Sequence, residues 1–129
     1  MATRSRIGIQ LKGNSVLSVY HHWDGYPEWL GRILNTHYNS RELASELIDG
    51  GDMSAAWGDE NRAEYYSERG EDCPPRFDDD ILDFLKKENN EEYAYVWTVN
   101  NEWKCLDMHS FDDSKSPEVV EIPSGELAV

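Results

Sequence analysis

The sequence predicts an α+β domain: a small antiparallel sheet built from N- and C-terminal hairpins, with about three helices packed on one face. Three observations carry that expectation. Alternating apolar runs stand towards both ends of the chain, and runs of helical period lie between them. A length of 129 residues is also that of one domain around one core. Hydrophobic residues at 39%, with 5 Trp and 7 Tyr among them, exclude a disordered acidic chain.

The first hairpin follows from alternation. Ile7, Ile9 and Leu11 point one way and Arg6, Gly8 and Gln10 the other, while Leu17 and Val19 share a face of the next run. A three-residue loop, Lys12-Gly13-Asn14, pairs Ile9 with Leu17 and Ile7 with Val19. A two-residue loop would set Ile9 against Ser18 and waste the apolar face. Gly13 or Asn14 is therefore expected at positive φ.

Asp24-Gly25-Tyr26-Pro27 ends the second strand, and Pro27 suits a first helical turn with Glu28 at the positive end of the dipole. Trp29, Leu30, Ile33, Leu34, His37 and Tyr38 follow a 3.6-residue period over about ten residues. Asn39 and Glu42 fit a capping box for a second helix with Leu43, Ala44, Leu47 and Ile48 on its apolar face. Gly50-Gly51 stops it. Glu60, Glu64 and Glu68 around Tyr65 and Tyr66 read as a third helix, and Asp78, Asp79 and Asp80 open a short one through Ile81, Leu82 and Leu85.

Tyr93, Tyr95, Trp97 and Val99 alternate with Ala94, Val96 and Thr98. A two-residue turn at Asn100-Asn101 places Val96 opposite Cys105 and Tyr95 opposite Leu106. Helices cover one face of this hairpin. Self-association, a partner or the C-terminal tail covers the other, so a homodimer through the Tyr93–Trp97 face is one expectation. Residues 1–109 thus form a single domain, and 110–129 a polar tail with one weak strand at 119–122.

Charge separates the chain into two parts. Lys and Arg number 12 against 26 Asp and Glu, a net charge of −14. Residues 1–41 hold five basic and two acidic residues, net +3, and the remainder is net −17. Such a balance excludes direct nucleic-acid binding, which needs a basic footprint. No apolar run is long enough for a membrane span. Two isolated cysteines, Cys73 and Cys105, point to a reducing compartment. No catalytic signature, phosphate loop or metal-ligand spacing is present, so neither an enzyme nor a cofactor is expected.

The stretch SRIGI at residues 5–9, then YHHWDGYPEWLGRILNTHY at 20–38, resembles a family of small uncharacterised proteins recurrent in tailed-phage genomes. Arg69-Gly70-Glu71-Asp72 and the aromatic hairpin at 93–103 are also similar, so the likeness spans most of residues 4–106. His21 and the chain after Met108 depart from the pattern. The resemblance implies a phage origin and action in the cytoplasm of the bacterial host. It carries no known activity.

Two sites compete on the residues themselves. Residues 59–80 hold nine acids against Arg62, Arg69 and Arg76. Fourteen net charges match about 24 Å of duplex. The leading expectation is a non-enzymatic inhibitor that offers Glu60, Glu64, Glu68, Glu71 and Asp72, with Asp78, Asp79 and Asp80, to a basic host protein, as a nucleic-acid mimic. The alternative is a small-ligand or metal site in the HHWDGYP segment, using His22, Trp23, Asp24, Tyr26 and Arg32. His21 and His22 point to opposite sides of a strand, so they cannot share one ion.

Overall fold

The computed structural model describes residues 3–23, 25–56, 63–66, 70, 74–81, 84, 91–108 and 118–122, with backbone alone at 55, 63, 64 and 118. Strands β1 (Ser5–Gln10) and β2 (Val16–His21) form the first hairpin. Leu11 N–H donates to Ser15 O at 2.7 Å and Asn14 N–H to Leu11 O at 3.0 Å, closing a three-residue loop. Gly13 (φ 92°) and Asn14 (φ 73°) both take the left-handed region. Ile7 therefore opposes Val19 and Ile9 opposes Leu17, the register the apolar pattern demands.

After β2 the chain enters a π-type turn at Pro27–Gly31, which runs directly into α1 (Arg32–His37). Helix α2 (Arg41–Asp49) follows. Its cap is Ser40, whose hydroxyl accepts the Leu43 N–H at 3.1 Å, and not the Asn39 of the expected capping box. Ala44, Leu47 and Ile48 are its buried face, and Gly51 at φ 88° follows its end. The helices carry the chain over the sheet to β3 (Met53–Ala56), which lies parallel to β2 with Met53 beside His21.

Where a third helix is expected, the chain forms β4 (Ala63–Tyr65), antiparallel to β3, with Glu64 opposite Ala55. Glu64 therefore stands on a strand and not on a helix edge, while Glu60 and Glu68 lie outside the described residues. Tyr65 explains the difference. Its hydroxyl donates to Leu47 O at 2.7 Å, and its ring lies where a β carbon on Gly50 would stand. That tertiary anchoring outweighs the helical tendency of the segment, which like charges at i,i+4 already reduce.

Strand β5 (Arg76–Asp78) pairs with the first half of β2, and β6 (Tyr93–Trp97), β7 (Trp103–Asp107) and β8 (Glu118–Val120) complete the sheet. The strand order is β4-β3-β2-β1-β6-β7-β8, with β5 on β2 beside β3. Strand β1 runs parallel to β6. The small antiparallel sheet with about three helices is thus replaced by a large mixed sheet with, among the described residues, two short α-helices on one face. Helical backbone also stands at Ile81 and Phe84, where Phe84 N–H donates to Asp80 O at 3.0 Å. Four of the sheet's strands, β3, β4, β5 and β8, have only three or four residues, too short for alternation to register.

The second hairpin also departs from expectation. Thr98 N–H donates to Glu102 O at 2.9 Å and Asn101 N–H to Thr98 O at 3.0 Å, with Asn101 at φ 60°. The loop has the length and hydrogen bonds of the first, three residues instead of two, although Asn101 is the only one of its residues at positive φ. Tyr95 consequently opposes Cys105, and Trp97 opposes Trp103. The one-residue shift brings both tryptophans to one face, where their rings meet edge-on at 5.5 Å.

Both faces of the sheet are covered. Ile7, Ile9, Val19, Tyr95, Trp97, Trp103 and Cys105 pack beneath Leu30, Ile33, Leu34, Ala44, Leu47 and Ile48. On the reverse, Val16, Ala94 and Val96 pack with Phe84, flanked by Ile81, Leu106 and Met108. Tyr95 and Trp97 are core residues, so a homodimer through the Tyr93–Trp97 face would have to open the core. The weak strand expected in the tail is present as β8. Val120 and Ile122 pack against the core, and Ile122 fits against Gly31, where a β carbon would come within 3.1 Å of it. Among the described residues no helix is long and apolar enough to cross a membrane.

Candidate functional site

The HHWDGYP segment divides between fold and surface. His21 points into the core, where its Nε2 accepts the Ala56 N–H at 3.1 Å and its Nδ1 lies 3.3 Å from Ser5 Oγ. Burial, with His22 alongside, pushes this imidazole down to about 3, so it is neutral at physiological pH. With Nε2 accepting, the proton sits on Nδ1 and is donated to Ser5. Gly25 lies so close to β1 that a β carbon there would meet Ser5 Oγ at 2.5 Å and Thr3 O at 2.7 Å. Its N–H donates to Thr3 O and its carbonyl accepts the Tyr95 hydroxyl at 2.7 Å.

His22 turns the other way, as the strand geometry requires. Its Nδ1 is 2.6 Å from the Tyr20 hydroxyl, and Trp23 stands edge-on against it at 4.6 Å with 48% of its surface exposed. The Tyr20 N–H donates to Asp52 Oδ1 at 2.8 Å. Burial raises the Tyr20 phenol, partly countered by the positive Arg4 nearby. Tyr26 contributes its carbonyl to the π-type turn, accepting from Trp29 and Leu30, and Arg32 is the first residue of α1 with its Nε buried and unbonded. Asp24 lies outside the described residues. No group of three His, Cys, Asp or Glu gathers to hold a metal among the described residues.

The acidic candidates fare unevenly. Glu60, Glu68, Glu71 and Asp72 lie outside the described residues, and of Glu64 only the backbone is described. Asp79 and Asp80 are exposed. Asp78 is not a surface group: it is buried on the reverse face, where its Oδ2 receives the Arg76 Nε at 2.9 Å. Alternation places it there, opposite Val16. An acidic helix edge does exist, but on α2, where Glu42, Glu46 and Asp49 are all exposed at i, i+4 and i+7. The sequence carried that signal as the polar side of an amphipathic helix, indistinguishable there from a solvated coat.

The cations are treated differently. Arg6 is buried, its Nε donating to Ser18 Oγ at 3.0 Å with Glu91 at 3.8 Å. Arg41 donates to Gln10 O at 2.7 Å and Arg76 to both Asp78 and Phe84 O. These arginines tie strands and helices together and do not converge on an anion site.

A cleft of about 450 Å³ opens beside the sheet, where α1 faces β7 and β8. Asn35 and Asn39 form one wall, Trp103 and Cys105 the floor, and Glu102, Lys104, Glu121 and Ile122 the rim. Burial pushes the Cys105 thiol up to about 12, its hydrogen bond with Tyr95 acting the other way, so the thiol stays protonated at neutral pH. Sequence reasoning missed this cleft because its walls are far apart in the chain. Two amides, Asn35 on α1 and Asn39 just past its end, were the only local hint. No family model, curated protein or solved structure matches the chain.

Proposed function

We propose that the chain is a non-enzymatic phage protein that acts in the host cytoplasm, where it binds a basic surface of a host protein and inhibits or redirects it. Its acidic exterior stands in for nucleic acid. One observation carries this reading: among the described residues, exposed acids outnumber exposed bases by eight to three. Of the seven described Lys and Arg residues, only Arg4, Lys12 and Lys104 are exposed. Glu28, Glu42, Glu46, Asp49, Asp79, Asp80, Glu102 and Glu121 are all exposed. The described surface is therefore acidic, in keeping with a composition of net −14. The SRIGI and HWDGYP pattern supports the phage setting.

Immobilised protein is expected to retain a basic protein from bacterial lysate at 50 mM salt and to release it by 500 mM, as contacts between exposed charges are screened. Replacing Glu42, Glu46 and Asp49 by Gln, Gln and Asn should weaken retention without lowering the melting temperature. Failure to retain any basic protein at low salt would overturn the reading.

A further inference from the structure

The cleft beside β7 lies where a strand of the sheet runs out. Strand β8 pairs with β7 at Cys105, Leu106 and Asp107, and the pairing ends at Cys105 opposite Val120. In β7, hydrogen bonding alternates between its two neighbours. Thr98 bonds Glu102 and Met108 bonds Glu92, so residues of even number aim their backbone groups at the β6 side. Trp103, Cys105 and Asp107 aim theirs outward. Cys105 and Asp107 meet β8, but Trp103 forms no outward ladder bond to any described residue, because the chain at Glu121 and Ile122 has left the sheet. The outward N–H and C=O of Trp103 therefore lie at the cleft that Trp103 lines together with Asn35 and Asn39.

A slot offering one donor–acceptor pair of a sheet edge that no described residue takes up, lined by side-chain amides, matches peptide backbone in extended form. Its rim selects for charge. Glu102 and Glu121 are both exposed there, against the single cation Lys104. We propose that this slot takes an extended basic segment of the partner, which continues the sheet at Trp103 in the place β8 vacates and sets its Lys or Arg side chains against Glu102 and Glu121. The assignment rests on the reading above that the partner is basic, and adds where and in what conformation the partner is held.

The test uses the full chain labelled with ¹⁵N and a blocked pentapeptide with Lys and Arg flanking a central valine, titrated at low salt. The expected result is chemical-shift change at the Trp103 backbone amide and at the Asn35 and Asn39 side-chain amides. N-methylation of the valine amide should weaken binding about tenfold, the loss of one well-placed hydrogen bond, which a purely electrostatic contact would not notice. The E102Q/E121Q double variant, altered only at exposed positions, should also weaken it. Shifts confined to α2 and Asp79–Asp80 overturn the slot and leave the acidic-surface reading standing. Equal binding of the N-methylated peptide overturns strand addition. No shift anywhere at low salt overturns both.

Discussion

His21 Nε2 accepts the Ala56 N–H at 3.1 Å, and this bond joins the end of β2 to the end of β3 across 35 residues of sequence. It needs a neutral imidazole with its proton on Nδ1. The folded-state value near 3 lies below the ordinary 6.5, so the unfolded chain binds the extra proton first as pH falls. Stability from this residue is complete above pH 6.5 and is lost progressively down to pH 3. The loss reaches about 2 kcal/mol by pH 5. Urea melts between pH 7.5 and 4.5 should show it. His21→Leu should start less stable and fall less steeply over the same range.

Gly25 is required by contact with β1. A methyl there meets Ser5 and Thr3 O, so Gly25→Ala should cost about 1–3 kcal/mol through overpacking. Ser5→Gly in the same chain removes the Ser5 side chain from that contact. The double variant should therefore be more stable than the sum of the single losses predicts, a coupling measurable by thermal melts of all four proteins. Strict additivity would show that Gly25 serves something other than close approach.

Asn14 and Asn101 hold the same place in two three-residue loops, each last of three and each left-handed. Replacing either by Ala should cost about 1 kcal/mol, and replacing either by Gly should cost nothing or stabilise slightly. Chemical denaturation of the four variants checks the pair.

These loops also show what the sequence could reveal. At the first, Lys12-Gly13-Asn14 sits between runs whose apolar residues agree with only one register, so pattern alone chooses the loop. At the second, Tyr93–Trp97 is apolar on both sides, and a one-residue slip keeps apolar residues on each face. Alternation then has no power to choose. The pairing of Trp97 with Trp103, seen only in three dimensions, decides it. Helices α1 and α2 were legible because each buries one stripe. Strand β4 was not, because its reasons to exist are Leu47 and Gly50 on another element. Likewise, the HHWDGYP segment was legible as a turn, while the cleft of Asn35, Trp103 and Glu121 was not, since no short stretch contains it.

Trp97 and Trp103 give a matched comparison within one cluster. Trp103 Nε1–H donates to Tyr38 O at 3.0 Å, whereas Trp97 Nε1–H is buried with no acceptor among the described residues. Substitution by Phe removes the same atoms at both positions. At Trp103 it also breaks a hydrogen bond and leaves the Tyr38 carbonyl without that donor. At Trp97 it removes a buried donor that no described residue accepts from. W103F should therefore be less stable than W97F by about 1–3 kcal/mol, the cost of an unsatisfied buried group. Denaturant midpoints read against a common slope decide it. Equal losses would mean that packing of the two rings, and not their polar atoms, sets the energy of the cluster.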